Sequence, residues 1–211
     1  MPPIHNGSAL GDWGTHDPTM LKTQDGQYVH YRTNYNVAAS ISNDRQTFHN
    51  NGSAFPGGIP WARNWTYQTP DAIWAPDVHY HNGKYYMYYS AWKGETIAAI
   101  GLAISESGRP GEWVDQGMVF NSLNTTFNAI DPDLLIDTDG RWYLVFGSYL
   151  SGIYQYEMDP NTGFVKEGST PVHLAHRGDD KDDAIEGSGM FKKGKIVSFH
   201  CKQESFPRSY S

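Results

Sequence analysis

Cysteine is nearly absent from this chain: Cys201 is alone among 211 residues. That excludes an intramolecular disulfide and a cysteine-held zinc site. Long apolar runs are missing too, and none approaches the ~18 residues of a membrane-spanning helix. Positive charge is scarce, with 16 Lys and Arg against 23 Asp and Glu, a formal net charge of −7. A nucleic-acid partner therefore finds no basic footprint. No charged leader followed by an apolar stretch opens the sequence, so no signal peptide is readable. No 3.6-residue apolar period marks a helix anywhere.

What is present points to an ordered, strand-rich domain. Hydrophobic residues make up 38%, too many for a disordered chain, and 211 residues suffice for one domain with a sizeable core. Aromatic residues reach 14%, with 7 Trp and 14 Tyr. Their apolar faces and polar tips suit half-buried strands and carbohydrate-binding clefts. Asn-x-Ser/Thr sequons at Asn6, Asn51, Asn64 and Asn124 favour a secretory origin.

Short β-rich runs recur: Tyr28–Tyr31, Tyr85–Ser90, Trp142–Phe146 and Ile196–His200. Each follows a turn dipeptide, namely Asp25-Gly26, Asn82-Gly83, Asp139-Gly140 and Lys193-Gly194. Ahead of these turns stand Asp17-Pro18-Thr19, Pro76-Asp77-Val78, Asp131-Pro132-Asp133 and Glu186-Gly187-Ser188. A third strand is predicted at Val37–Ser42, Ile100–Ser105 and Gly152–Met158, and a fourth around Thr47-Phe48 and Glu112–Gly117. A period of ~55 residues with four strands per unit is the signature of an all-β propeller. The expected blades run over residues 13–70, 71–125, 126–180 and 181–200, the last partial, followed by an atypical polar tail at 201–211.

The first strand of each blade lines the central channel, so Asp17, Asp131 and Glu186 are expected to converge at one mouth. Carboxyls crowded in a cleft cannot all ionise cheaply, and at least one pKa should rise. A neutral acid beside an ionised base is what glycoside hydrolysis requires. Asp133 is a rival to Asp131, two residues along the same strand face. Asp77 reads as structural, or as a support to the site. The run Asp179–Asp183 reads as a solvated loop. His16, His79 and His81 read as core or rim groups and not as a metal set.

The ordered motifs resemble glycoside hydrolase family 43, the five-bladed propellers, and within it the arabinan endo-1,5-α-L-arabinosidases of fungi. The likeness is carried by His16-Asp17-Pro18-Thr19-Met20, Trp74-Ala75-Pro76-Asp77-Val78 and Asn128-Ala129-Ile130-Asp131-Pro132. It continues through Asp139-Gly140-Arg141-Trp142-Tyr143-Leu144, Phe146-Gly147-Ser148, Ser151-Gly152-Ile153-Tyr154 and Ile185-Glu186-Gly187, from about Trp13 to Lys195. The resemblance implies an inverting hydrolase: Asp17 as general base, Glu186 as general acid, Asp131 orienting that acid and raising its pKa. It prefers Asp131 over Asp133. Trp74, Asn128 and Ser148 match sugar-contacting positions. The implied partner is arabinan, a pectin side-chain polysaccharide, handled by an extracellular monomer without nucleic acid or membrane. No cofactor is required. The channel metal ion of many relatives, calcium-like, takes a His from a fifth unit outside this sequence, and the chain reads as C-terminally truncated. The same scaffold also serves β-xylosidases and exo-acting arabinofuranosidases, and a non-catalytic carbohydrate-binding or inactive fragment is the further alternative.

Overall fold

The structure is a computed structural model that describes residues 10–11, 14–67, 72–94, 96–150, 152–177, 185–194 and 196–203. The first sheet holds β1 (Leu10–Gly11), β2 (Thr19–Lys22), β3 (Tyr28–Arg32), β4 (Ala38–Ser42) and β5 (Thr47–Ser53), in the order β1-β5-β4-β3-β2. A short helix, α1 (Pro60–Thr66), leads to the second sheet. That sheet runs in order through β6 (Ile73–His81), β7 (Lys84–Gly94), β8 (Ile97–Ser105) and β9 (Val114–Asn121). The third follows as β10 (Asp133–Ile136), β11 (Trp142–Phe146), β12 (Ile153–Met158) and β13 (Val172–Ala175). The fourth is a hairpin of β14 (Ile185–Lys193) and β15 (Ile196–Gln203). Residues 17–19, 75–77, 131–133 and 187–189 all line one central hollow, so the sheets are blades around a shared axis.

The expected propeller and its inner hairpins are observed. His81 pairs with Lys84, which leaves Asn82-Gly83 as a two-residue loop with φ of 48° and 85° at its two positions. A loop with both φ values positive follows the right-handed twist of the flanking strands, and Asn-Gly is the dipeptide that adopts it at least cost. β1 was not expected: it adds a short parallel pairing outside β5. α1 was missed as well. Pro60 sits in its first turn, no side chain caps its start, and it ends at Tyr67 in the left-handed region. β15 continues through Cys201 to Gln203, into the segment read as tail. The acidic run 179–183, Asn6 and residues 204–211 lie outside the described residues.

Apolar side chains fill the seams between neighbouring blades. Val29, Tyr31 and Ala39 of the first sheet pack with Ile73, Met87 and Tyr89 of the second. Tyr88, Ile100 and Leu102 pack with Leu134, Trp142 and Phe146 of the third. Val145 and Ile153 meet Ile185 of the fourth. A repeated polar device stitches these seams. Backbone N–H groups of Val78, Leu134 and Met190 donate to Thr19 Oγ1 (3.3 Å), Asp77 Oδ2 (2.8 Å) and Asp133 Oδ2 (2.8 Å) of the preceding blade. Tyr31 and Tyr88 hydroxyls likewise donate across the seam to the carbonyls of Gly108 (3.0 Å) and Gly163 (2.6 Å).

Candidate active site

At the inner end of each blade the chain makes the same left-handed turn: φ is 45° at Asp17, 43° at Ala75, 55° at Asp131 and 57° at Gly187. These residues lie at or near the start of the four inner strands and bound the hollow, of about 240 Å³. Non-glycine residues at positive φ are strained unless their surroundings hold them, and such strain gathers at functional sites. The backbone also refines the repeat. Asp17 and Asp131 are equivalents, but Glu186 stands one residue ahead of its blade's equivalent, Gly187. The fourth unit has Gly187-Ser188 where the others have a residue before proline, so the sequence carries no X-Pro marker for the turn there.

The structure brings the charges of Asp17 and Glu186 to bear on Asp131. Burial pushes the Asp131 carboxyl up to about 7, and the charges of Asp17 and then Glu186 push it in the same direction. The Gly187 backbone N–H donates to Asp131 Oδ2 at 3.2 Å and opposes that rise only in part. Asp17 Oδ2 receives the Thr33 hydroxyl at 2.6 Å and lies 2.6 Å from His16 Nδ1. Glu186 Oε2 receives the Ser148 hydroxyl at 2.7 Å. Ser148, expected at a sugar-contacting position, is thus placed against Glu186.

Trp74 lies flat against Trp92, with ring centroids 4.7 Å apart and 13° between planes. Asn128 is buried, and its Oδ1 has no hydrogen-bond partner among the described residues. Asp133 belongs to a second group. Asp77, His79 and Asp133 each offer one ligand atom within 4.8 Å of the others, a spacing that would suit a metal ion. The group is also held together without one: His79 Nε2 lies 3.0 Å from Asp77 Oδ2, and both carboxylates take the inter-blade N–H bonds. Burial alone would lower the His79 imidazole, but the adjacent Asp77 charge prevails and raises it. Burial and then the Asp77 charge raise Asp133. Sequence reading separated Asp131 from Asp133 only through resemblance; in the structure Asp131 feels the charges of Asp17 and Glu186, and Asp133 that of Asp77. It missed Thr33 altogether, because the only local signal was a hydroxyl just beyond a strand end.

Residues 11–201 match the glycosyl hydrolases family 43. The chain is 37% identical over 160 residues to the extracellular endo-α-(1→5)-L-arabinanase 1 of Bacillus subtilis, an overlap of 71% of this chain and 50% of that protein. It is 34% identical over 195 residues to a probable arabinan endo-1,5-α-L-arabinosidase A of Aspergillus flavus, covering 89% of this chain and 57% of that one. Among solved structures it resembles the family 43 endo-arabinanase of Bacillus licheniformis, with a TM-score of 0.84 and 30% identity over 95% of this chain and 69% of that one. The chain therefore spans 50% and 57% of the length of these two curated relatives. The match over nearly the whole described propeller, together with the carboxyl cluster at its mouth, makes this chain a member of glycosyl hydrolase family 43.

Proposed function

We propose that the chain hydrolyses α-1,5-linked arabinan with inversion at the anomeric carbon. The observation that carries this reading is the response of Asp131 to both Asp17 and Glu186, three carboxyls from three different blades. Asp17 takes a proton from the attacking water as its oxygen bonds the anomeric carbon. Glu186 gives a proton to the leaving glycosidic oxygen as the carbon–oxygen bond breaks. Asp131 stands between these roles and orients Glu186. Asp131 keeps its own proton to about pH 7. The stacked Trp74 and Trp92 offer an apolar face to a furanose ring, and Asn128 Oδ1 offers a buried acceptor to a sugar hydroxyl. The step uses carboxyls and water alone. Similarity to a relative named extracellular supports secretion, and the acidic balance supports a polysaccharide over a nucleic acid.

Products from debranched arabinan, resolved by chromatography, test the reading. Arabino-oligosaccharides are expected, and Asp17→Asn and Glu186→Gln should each cost about a hundredfold or more in kcat. An inverting site also places the Asp17 and Glu186 carboxyls roughly 6.5–9.5 Å apart, leaving room for the water. Release of xylose alone from xylo-oligosaccharides, with arabinan untouched, would overturn the arabinan assignment.

A further inference from the structure

Asp17 presents two oxygens, and the structure commits one of them. Oδ2 takes the Thr33 hydroxyl at 2.6 Å and sits 2.6 Å from His16 Nδ1. Oδ1 takes no hydrogen bond from the described residues, and Asp17 lines the hollow. The Thr33 hydroxyl is itself committed, because the Ala75 backbone N–H of the next blade donates to Thr33 Oγ1 at 2.7 Å. A hydroxyl has one proton to give. The Ala75 N–H occupies one of the two acceptor positions on that oxygen, and Asp17 Oδ2 is the described acceptor within reach of the hydroxyl proton. Its proton therefore points at the carboxylate. The Thr33 backbone N–H adds a bond to the His16 carbonyl at 3.0 Å, so the threonine is tied to the Asp17 turn at two places. Ala75 is the left-handed residue of its own blade, with φ 43°, and that conformation aims its N–H across the seam.

We infer that Thr33 is a positioning residue for the general base: it fixes which oxygen of Asp17 receives the proton of water. This rests on the proposed reaction, in which Asp17 is that base. The second blade supplies the internal comparison. There Ser90 Oγ accepts the Asp131 N–H at 3.1 Å, the same seam bond that Thr33 makes with Ala75. The seam bond alone thus recurs as architecture, whereas the bond from Thr33 to Asp17 is added at the site.

The test is kcat and KM on debranched arabinan in the full chain and in Thr33→Val and Thr33→Ser. Loss of the hydroxyl in Thr33→Val should lower kcat about tenfold to a hundredfold with KM within about twofold, the cost of a misplaced catalytic group. Thr33→Ser, which keeps a hydroxyl for both Asp17 and the Ala75 N–H, should restore kcat. A kcat unchanged in Thr33→Val, or a loss that Thr33→Ser does not restore, would overturn the inference. If the unaltered chain leaves arabinan intact, the proposed reaction fails and the inference with it. If arabinan is cleaved and Thr33→Val behaves as the parent, the inference fails alone.

Discussion

A carboxyl that keeps its proton to about pH 7, as Asp131 does, makes the fold pay at alkaline pH for what the site gains. Its ordinary value is 3.8, so between that pH and about 7 the folded chain binds more proton than the unfolded one. Stability from this group is therefore full below the unfolded value and falls as pH rises through the folded one. Asp131→Asn removes the ionisation and retains an oxygen for the Gly187 N–H. The variant should be more stable than the parent at pH 8, on the order of a few kcal/mol by the size of the shift, with no gain near pH 3.5. Urea denaturation at the two pH values measures this; an equal difference at both would show that the Asp131 charge does not oppose folding. Legibility at this scale was uneven. Asp17 and Asp131 stood out because proline follows each at matching places in the repeat. Thr33 did not, because the N–H that donates to its hydroxyl, that of Ala75, is 42 residues away in the next blade.

At the scale of elements, the inner hairpins were legible because two-residue turns and alternating aromatics are local signals. The seams were not, because each is made by residues about 57 positions apart in sequence. Nor was α1: at 7 residues, without a side-chain cap, it completes too few turns for a period to register. β1 pairs with a strand some 37 residues downstream, Leu10 opposite Thr47, and two residues carry no pattern. The seam bonds vary where the site needs them to vary. Tyr31 and Tyr88 reach into the following blade, but the residue at their place in the third sheet, opposite Asp133 as Tyr88 is opposite Asp77, is Val145, without a hydroxyl. The third seam therefore relies more on Asp133 and on its small apolar cluster. At the second seam, Asp77→Ala would strip the Leu134 N–H of its acceptor and His79 of its charge partner. A loss of about 2–3 kcal/mol in urea denaturation is expected, since a buried donor is left unmade. A change below about 0.5 kcal/mol would mean that Asp77 does not bind the seam.

For the molecule as a whole, a residue's place around the axis decides its environment. Met20 is 52% exposed in the first sheet, while Val78 and Leu134, at the same place in the next two, are 8% and 0% exposed. A cavity of about 380 Å³ lies beside Met20, between Pro18, His30 and Phe48. On the fourth sheet Phe191, Ile196, Val197 and Phe199 are exposed. These are the faces of the first and last described blades that no described blade covers. The hollow is nevertheless walled by all four sheets, and the charges of Asp17 and Glu186 both act on Asp131. That convergence is the claim on which the rest depends, and a site-resolved ¹³C titration of the Asp131 carboxyl addresses it directly. In the unaltered chain its midpoint should lie near pH 7, and in Glu186→Gln and Asp17→Asn it should fall toward the ordinary carboxylate range. A midpoint near 4 in the parent, or one near 7 that neither substitution moves, would show that the blades do not bring these groups together.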